Sequence, residues 1–422
     1  MLGILSNFLL VGLVYRYLIS EELNGIWLTI SSILTWITFF DFGMGNSLRN
    51  KLTESITNKN GILSNMYIST TYILMIFPTL IIIIISITVA FLFDWRSFFN
   101  IHSTIITNYY LALFISIVSI LYSLNFYLSI LNAILHAIYK SYLISGIQLL
   151  VNIINIVIIS ALLFLNIRDL ILLGFFYIGT SVISLIISTV LLFKFNKYEL
   201  KFSFKYFNGK LIKDIFNLGL KFLVLQLAII VLFNTDNVLI SKFVGVEQVA
   251  TYQLVNKLLS LNTIVLGILL TPIWTKIIKD HTNRRFEEIK GTINKLLIIF
   301  FVLIIGVMII GFFSTKLINL WVGSNLHFPN KLIKYMVVFT ILHMWCNIFQ
   351  SILNGINKLK VQVYSYGIAT IINIPLSIFL VKNTGLGVSA IILGTIFSLL
   401  LPSFILPLYT IGYFKKITIP KR

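Results

Sequence analysis

Residues Leu80–Phe93 read L-I-I-I-I-I-S-I-T-V-A-F-L-F, fourteen positions without one ionisable side chain. The uncharged run extends back to Met66. A membrane helix needs about 20 apolar residues to cross roughly 30 Å of hydrocarbon, and this run exceeds that. Irregular backbone cannot face lipid, because no water is there to pair its N–H and C=O groups. The stretch is therefore a membrane-spanning helix. Working outward, eleven more apolar runs follow the same rule, and the predicted spans are 2–19, 24–46, 66–93, 105–132, 142–165, 170–193, 215–241, 249–274, 294–313, 332–355, 361–381 and 386–412. The predicted fold class is an all-α polytopic membrane protein of about twelve transmembrane helices in two six-helix bundles. The first bundle is 1–193, the second 215–422, and a basic and aromatic cytoplasmic linker, 194–214, joins them, read as a segment resting on the anionic inner leaflet.

Composition agrees. Of 422 residues, 58% are hydrophobic and 11% charged, and mean hydropathy is +0.99. A soluble domain carries about 25% charge, so a cytosolic enzyme, a secreted disulfide scaffold and a disordered chain are excluded. The single Cys, Cys346, leaves no disulfide framework and no thiolate metal site. A formal charge of +19 would point to nucleic acid in a soluble protein. In a membrane protein it marks cytoplasmic loops, which collect Lys and Arg. With both termini in the cytoplasm, 23 of the 32 basic residues fall in inner segments and 8 in outer ones, Lys257 lying within a span.

The two halves match faintly at an offset of 226 residues: R-Y-L-I-S-E-E-L-N-G-I (16–26) against K-F-V-G-V-E-Q-V-A-T-Y (242–252). Both segments fall at the turn after the first span of their half. Six spans per half make the repeat parallel, the plan of an alternating-access carrier.

Two further stretches carry a resemblance. F-D-F-G-M-G-N-S-L-R-N-K-L-T-E (Phe40–Glu54), with R-Y-L-I-S-E-E-L-N-G-I-W before it, resembles Wzx-type O-antigen flippases. So do N-T-D-N-V-L-I-S-K-F-V-G-V-E-Q-V-A-T-Y (Asn234–Tyr252) and L-T-P-I-W (Leu270–Trp274). These belong to the multidrug/oligosaccharidyl-lipid/polysaccharide exporter superfamily. Such flippases usually carry a short basic leader, whereas Met1 here nearly abuts the first span. The resemblance implies a non-enzymatic carrier of the bacterial inner membrane, both termini cytoplasmic. Its substrate would be an undecaprenyl-pyrophosphate-linked oligosaccharide, its coupling ion H⁺ or Na⁺, and it would need no other cofactor. The implied partners are that substrate, membrane lipids and other polysaccharide-assembly membrane proteins, with no nucleic acid.

Ionisable groups within spans are costly, by about 2.5–3.5 kcal/mol on insertion scales, and face protein or water. Asp236 and Lys257 fall at similar depth on consecutive spans, which suggests an ion pair, either structural or one in which Asp236 exchanges a proton or Na⁺ and frees Lys257 to bind the anionic substrate. Asp41, Gly45 and Arg49 recur at i, i+4 and i+8, on one face of the second span. Arg49 sits at the cytoplasmic end, where its planar fork suits a pyrophosphate, or serves topology alone. Asp41 is a second candidate for ion coupling. Arg16 and Lys242, equivalent in the repeat, either receive the phosphate on exit or snorkel as anchors. No metal site is expected. A multidrug antiporter of the same superfamily and a membrane polysaccharide polymerase or ligase are the rival readings. The latter generally needs a large outer loop, which this chain lacks.

The topology is testable. Single cysteines near Lys205 and Asn283 are expected to resist an impermeant thiol reagent in intact cells, and one near Asn325 to react. Labelling of the first two would reverse the orientation.

Overall fold

The computed structural model describes residues 2–18, 21–35, 41–99, 101, 106–195, 198–322 and 328–418. Among them the secondary structure is helical, with no strand. The elements are α1 (Leu2–Leu18), α2 (Glu21–Thr35), α3 (Met44–Thr57), α4 (Gly61–Leu92), α5 (Trp95–Phe98), α6 (Asn108–Leu128), α7 (Ile130–Ala137), α8 (Ser141–Phe164), α9 (Leu170–Lys194), α10 (Ile212–Phe243), α11 (Val246–Thr282), α12 (Phe286–Val322), α13 (Asn330–Gly355), α14 (Leu359–Asn383) and α15 (Val388–Thr418). Ten helical segments are long and apolar enough to cross a membrane, with α6 and α7 counting as one. The helices α1 and α2, whose predicted spans run into residues 19 and 36–40 outside the described ones, complete the twelve-helix architecture.

The chain divides into two compact units, Met1–Leu220 and Lys221–Arg422, each with its own apolar core. The same packing order recurs in both. In the first unit α3 packs on α4 and α7, α4 on α6, α6 on α9 and α8 on α9. In the second, α11 packs on α12 and α13, α12 on α13, α13 on α15 and α14 on α15. The equivalent helices α4 and α12 are both peripheral: 22% of the most apolar window of each is buried, against 61% for α15. Their outward faces, such as Phe301, Ile305 and Phe312, are the lipid-facing surface.

Helix ends repeat as well. A helix terminus leaves carbonyls unpaired, and a left-handed residue just past the end lets following N–H groups fold back onto them. After α3 that residue is Lys59 (φ 55°), and after α11 it is Arg284 (φ 56°). Asn60 N–H donates to Ser55 O, and Arg285 N–H donates to Asp280 O. Tyr139 (φ 63°) and Asn357 (φ 57°) close α7 and α13 in the same way, with Lys140 donating to Leu135 O and Lys358 to Leu353 O. Asn166 (φ 56°) and Gly385 (φ 63°) follow α8 and α14. The sequences around the second pair, I-L-H-A-I-Y-K (134–140) and I-L-N-G-I-N-K (352–358), now read as a clear repeat. Their offset is 218, not 226, because the α4–α6 connection in the first unit is longer than the α12–α13 connection in the second.

The stretch predicted as a membrane-surface linker is packed on protein. Lys201 N–H donates to Asn65 Oδ1 (2.8 Å), Ser203 N–H to Ser69 Oγ (3.1 Å) and Asn208 N–H to Thr70 Oγ1 (3.1 Å). Leu200 is fully buried. The polar N-terminal third of α4 thus serves to pair an irregular backbone. The first turns of α10 stay with this unit: Asp214 meets Lys51 (2.8 Å) and the Tyr67 hydroxyl (2.9 Å), and Ser47 Oγ donates to Ile215 O. The second predicted span also differs. Phe42 and Gly43 are both left-handed, at φ 49° and 68°, so Asp41 lies ahead of α3 and not within one continuous helix.

Two substitutions test this backbone. Arg284→Gly removes the strain of a side chain at positive φ, about 1 kcal/mol, and is expected to raise the unfolding midpoint of the purified protein. Gly394→Ala is expected to lower it by the equivalent of about 1–3 kcal/mol, because a Cβ there would meet Ser377 Oγ and lie 2.9 Å from Ser377 Cα.

Candidate functional site

In the second unit four helices converge on one carboxylate. Asp236 on α10 is fully buried. Its Oδ2 accepts from the Tyr252 hydroxyl of α11 (3.0 Å), and the Thr395 hydroxyl of α15 donates to Oδ1 (3.0 Å). Thr395 Oγ1 in turn accepts from Asn373 Nδ2 of α14 (2.9 Å). Thr395 and Asn373 are fully buried and Tyr252 nearly so. The Asn373 Oδ1 makes no hydrogen bond among the described residues. Beside this cluster, Gln253 Nε2 donates to Asn237 Oδ1 (2.6 Å), tying α11 to α10 again. A carboxylate buried this deeply is stabilised only by such donors or by a cation. The arrangement can hold a proton or a small cation at Asp236.

The first unit has a reduced counterpart. Asn155 of α8, 218 residues before Asn373, accepts at Oδ1 from the Thr180 hydroxyl of α9 (2.6 Å). At the 226-residue offset the position of Asp236 is taken by Leu10, which is buried. The asparagine–threonine pair is present in both units, and the carboxylate joins it only in the second.

The predicted Asp236–Lys257 ion pair is not formed. Lys257 is exposed on α11, and the carboxylate takes its partners from hydroxyls. The reason is angular: Tyr252, which meets Asp236, lies five residues from Lys257, about 140° around the helix. Depth alone was a poor guide. Lys257 has no carboxylate within 4.0 Å among the described residues.

Arg49 is 4% exposed, not open to a headgroup at a helix end as the sequence suggested. Its helix α3 is folded against α4 and α7, and burial disfavours its charged form while the nearby Tyr139 favours it. Asp41, predicted as a candidate for ion coupling, has a structural task. Its Oδ1 accepts from Gly43 N–H (2.8 Å) and its Oδ2 from Gly45 N–H (3.3 Å), which caps the start of α3. Arg16 and Lys242 are exposed at the ends of α1 and α10. The Arg16 carbonyl accepts from Arg168 (3.3 Å), and Lys242 Nζ lies 5.7 Å from the Phe243 ring centroid. The predicted site residues are split between the units, with Arg16, Asp41 and Arg49 in the first and Asp236, Lys242 and Lys257 in the second. Tyr252, Asn373 and Thr395 were missed, Asn373 and Thr395 because they lie far along the chain, although polar residues in apolar spans were the available signal. Among the described residues no group of three His, Cys, Asp or Glu is placed to hold a metal.

Comparison with known proteins gives a consistent fold. The family model described as polysaccharide biosynthesis protein matches residues 8–278, and the MatE model matches residues 223–379. No curated protein matches significantly. Among solved structures, the crystal structure of MATE in the bent conformation is similar with a TM-score of 0.80 at 14% identity, covering 99% of this chain and 93% of that one. An outward-facing multidrug resistance MATE family transporter of the MOP superfamily gives 0.79 at 14%, with 99% and 94% covered. A MOP superfamily transporter from Pyrococcus furiosus, described as having a binding pocket of reversed polarity, gives 0.77 at 15%, again with 99% and 94% covered. At these identities the likeness establishes the MATE-like fold.

The hydroxyl network predicts a hierarchy of stability. Asp236→Ala takes the acceptor from the buried Tyr252 hydroxyl and one of the partners from Thr395, and is expected to cost about 1–3 kcal/mol, read as a lower unfolding midpoint. Lys257→Ala is expected to stay within about 0.5 kcal/mol of wild type. Equal losses for both would restore the ion pair.

Proposed function

We propose a function for a chain that belongs to the polysaccharide biosynthesis protein family: it carries a polyprenyl-pyrophosphate-linked oligosaccharide from the cytoplasmic to the outer leaflet of the bacterial inner membrane. Family membership is the observation that carries this reading. The physical task is to take a sugar chain and a pyrophosphate across about 30 Å of hydrocarbon while the prenyl tail stays in lipid. Alternating access of two six-helix bundles fits that task. The termini are cytoplasmic in this reading, and other polysaccharide-assembly proteins of the membrane would be its partners.

Two features support the assignment of roles. Lys257, an exposed cation in an apolar helix with no carboxylate neighbour among the described residues, suits an anionic cargo. Asp236, with its hydroxyl ring, suits binding of the coupling proton or Na⁺. Arg49 would take part only in a conformation that uncovers it, and Arg16 and Lys242 would act at the exit. A second reading, export of small multidrug-type compounds, is favoured by the MatE match and by the MATE neighbours. It is the weaker reading because an exposed intramembrane lysine, Lys257, suits cationic drugs poorly.

Deleting the gene tests the class: lipid-linked repeat units are expected to accumulate on the inner leaflet, with surface polysaccharide lost and drug sensitivity unchanged. Unaltered polysaccharide together with raised drug sensitivity would favour the second reading. In the deletion strain, Lys257→Ala at normal abundance is expected to restore polysaccharide poorly. A lost charge-assisted hydrogen bond is worth about 1.5–3 kcal/mol, or roughly ten- to a hundredfold in affinity. Asp236→Asn is expected to remove the dependence of transport on the ion gradient.

A further inference from the structure

The packed linker leaves an open groove of about 670 Å³ against the end of α9. Lys194, Lys201 and Lys205 line it, with Phe193, Phe202 and Tyr206 among them. Lys194 Nζ lies 5.3 Å from the Phe195 ring centroid. No carboxylate lies within 4.0 Å of the three ammonium groups among the described residues. Glu199 is the one acidic residue between Asp169 and Asp214, and its backbone is held by Asn65. The floor is firm: Tyr72 of α4 meets Phe193 and Phe202 edge-on, at 6.3 and 5.4 Å between centroids.

An apolar track leads into this groove. Ile183, Ile186, Ile187, Val190 and Leu191 are all exposed. Their spacing of three, four, seven and eight places them on one face of α9, and Val190 also lines the groove. Three cations and three aromatic rings thus stand at the end of a lipid-facing stripe. We propose that the groove binds the phosphate of an anionic phospholipid, whose acyl chains lie along this face of α9. Lysines beside a membrane attract anionic headgroups, and aromatic rings sit at headgroup level. A soluble phosphate would have no use for the track. All lining residues lie between 190 and 206, so the site is built within the first unit alone. An occupied groove would clamp the linker to α9 and α4.

The test uses the purified full chain in neutral micelles, with native mass spectrometry reading bound phosphatidylglycerol against phosphatidylcholine. Phosphatidylglycerol is expected to bind at least about tenfold more tightly. The Lys194→Gln, Lys201→Gln, Lys205→Gln triple variant is expected to lose about fivefold per lysine, while a Lys210→Gln, Lys213→Gln variant retains binding. Should the triple variant fail to fold, Lys205→Gln alone, at an exposed side chain, carries the same expectation of about fivefold. Equal binding of the two lipids, or undiminished binding by the variants, overturns the proposal. Displacement by millimolar inorganic phosphate would make it a site for soluble anions and also overturns it. Binding of polyprenyl pyrophosphate without phosphatidylglycerol would assign the groove to the transported lipid and overturn it equally.

Discussion

Hydrocarbon offers no partner to a polar group, and that constraint governs nearly every local choice in this chain. It makes each span a helix, and the same need to pair backbone groups shapes how helices stop. The helix ends that close α3, α7, α11 and α13 place a residue other than glycine in the left-handed region, at a strain of about 1–2 kcal/mol, to pair the final carbonyls. The same demand explains Asn65, Ser69 and Thr70, which lie at the start of an apolar helix and accept hydrogen bonds from an irregular segment beside them. Asp236 meets it with hydroxyls from two other helices.

Much of the architecture was legible in the sequence because a span is a local property: length and apolarity suffice. The runs 332–355 and 361–381 match α13 and α14 within two residues. Contacts were less legible. Asp236 stands out as a charge in an apolar run, but its partner Thr395 lies 159 residues away, and Lys257 was chosen for depth without regard to helix angle. Asp41 and Arg49 share a face only if the helix continues through Phe42 and Gly43, and left-handed torsions at both interrupt it. The linker looked like a membrane-surface segment because its own composition is basic and aromatic. Its docking depends on polar side chains of α4 that a hydropathy reading passes over.

The two units share a packing order and differ in chemistry. Asn155 with Thr180 and Asn373 with Thr395 are similar polar ties between corresponding helices of the two units, built on matching asparagines but on threonines one helical turn out of register. Only in the second unit does the tie extend to a carboxylate, Leu10 standing at the corresponding place in the first. A shared scaffold therefore carries an ionisable centre on one side, and that centre is braced by residues whose first task is to hold helices together.

The repeated left-handed closures bear on how the internal repeat can be recognised. Thr57-Asn58-Lys59 and Thr282-Asn283-Arg284 still share letters, whereas Asn166 and Gly385 share only a torsion angle. Side chains facing lipid are interchangeable among apolar types and drift without penalty. A turn that must reverse the chain at the membrane surface has few backbone solutions. The internal repeat is thus more legible in dihedral angles than in residue identities, and a search for such repeats in other apolar chains would do better to align helix closures than spans.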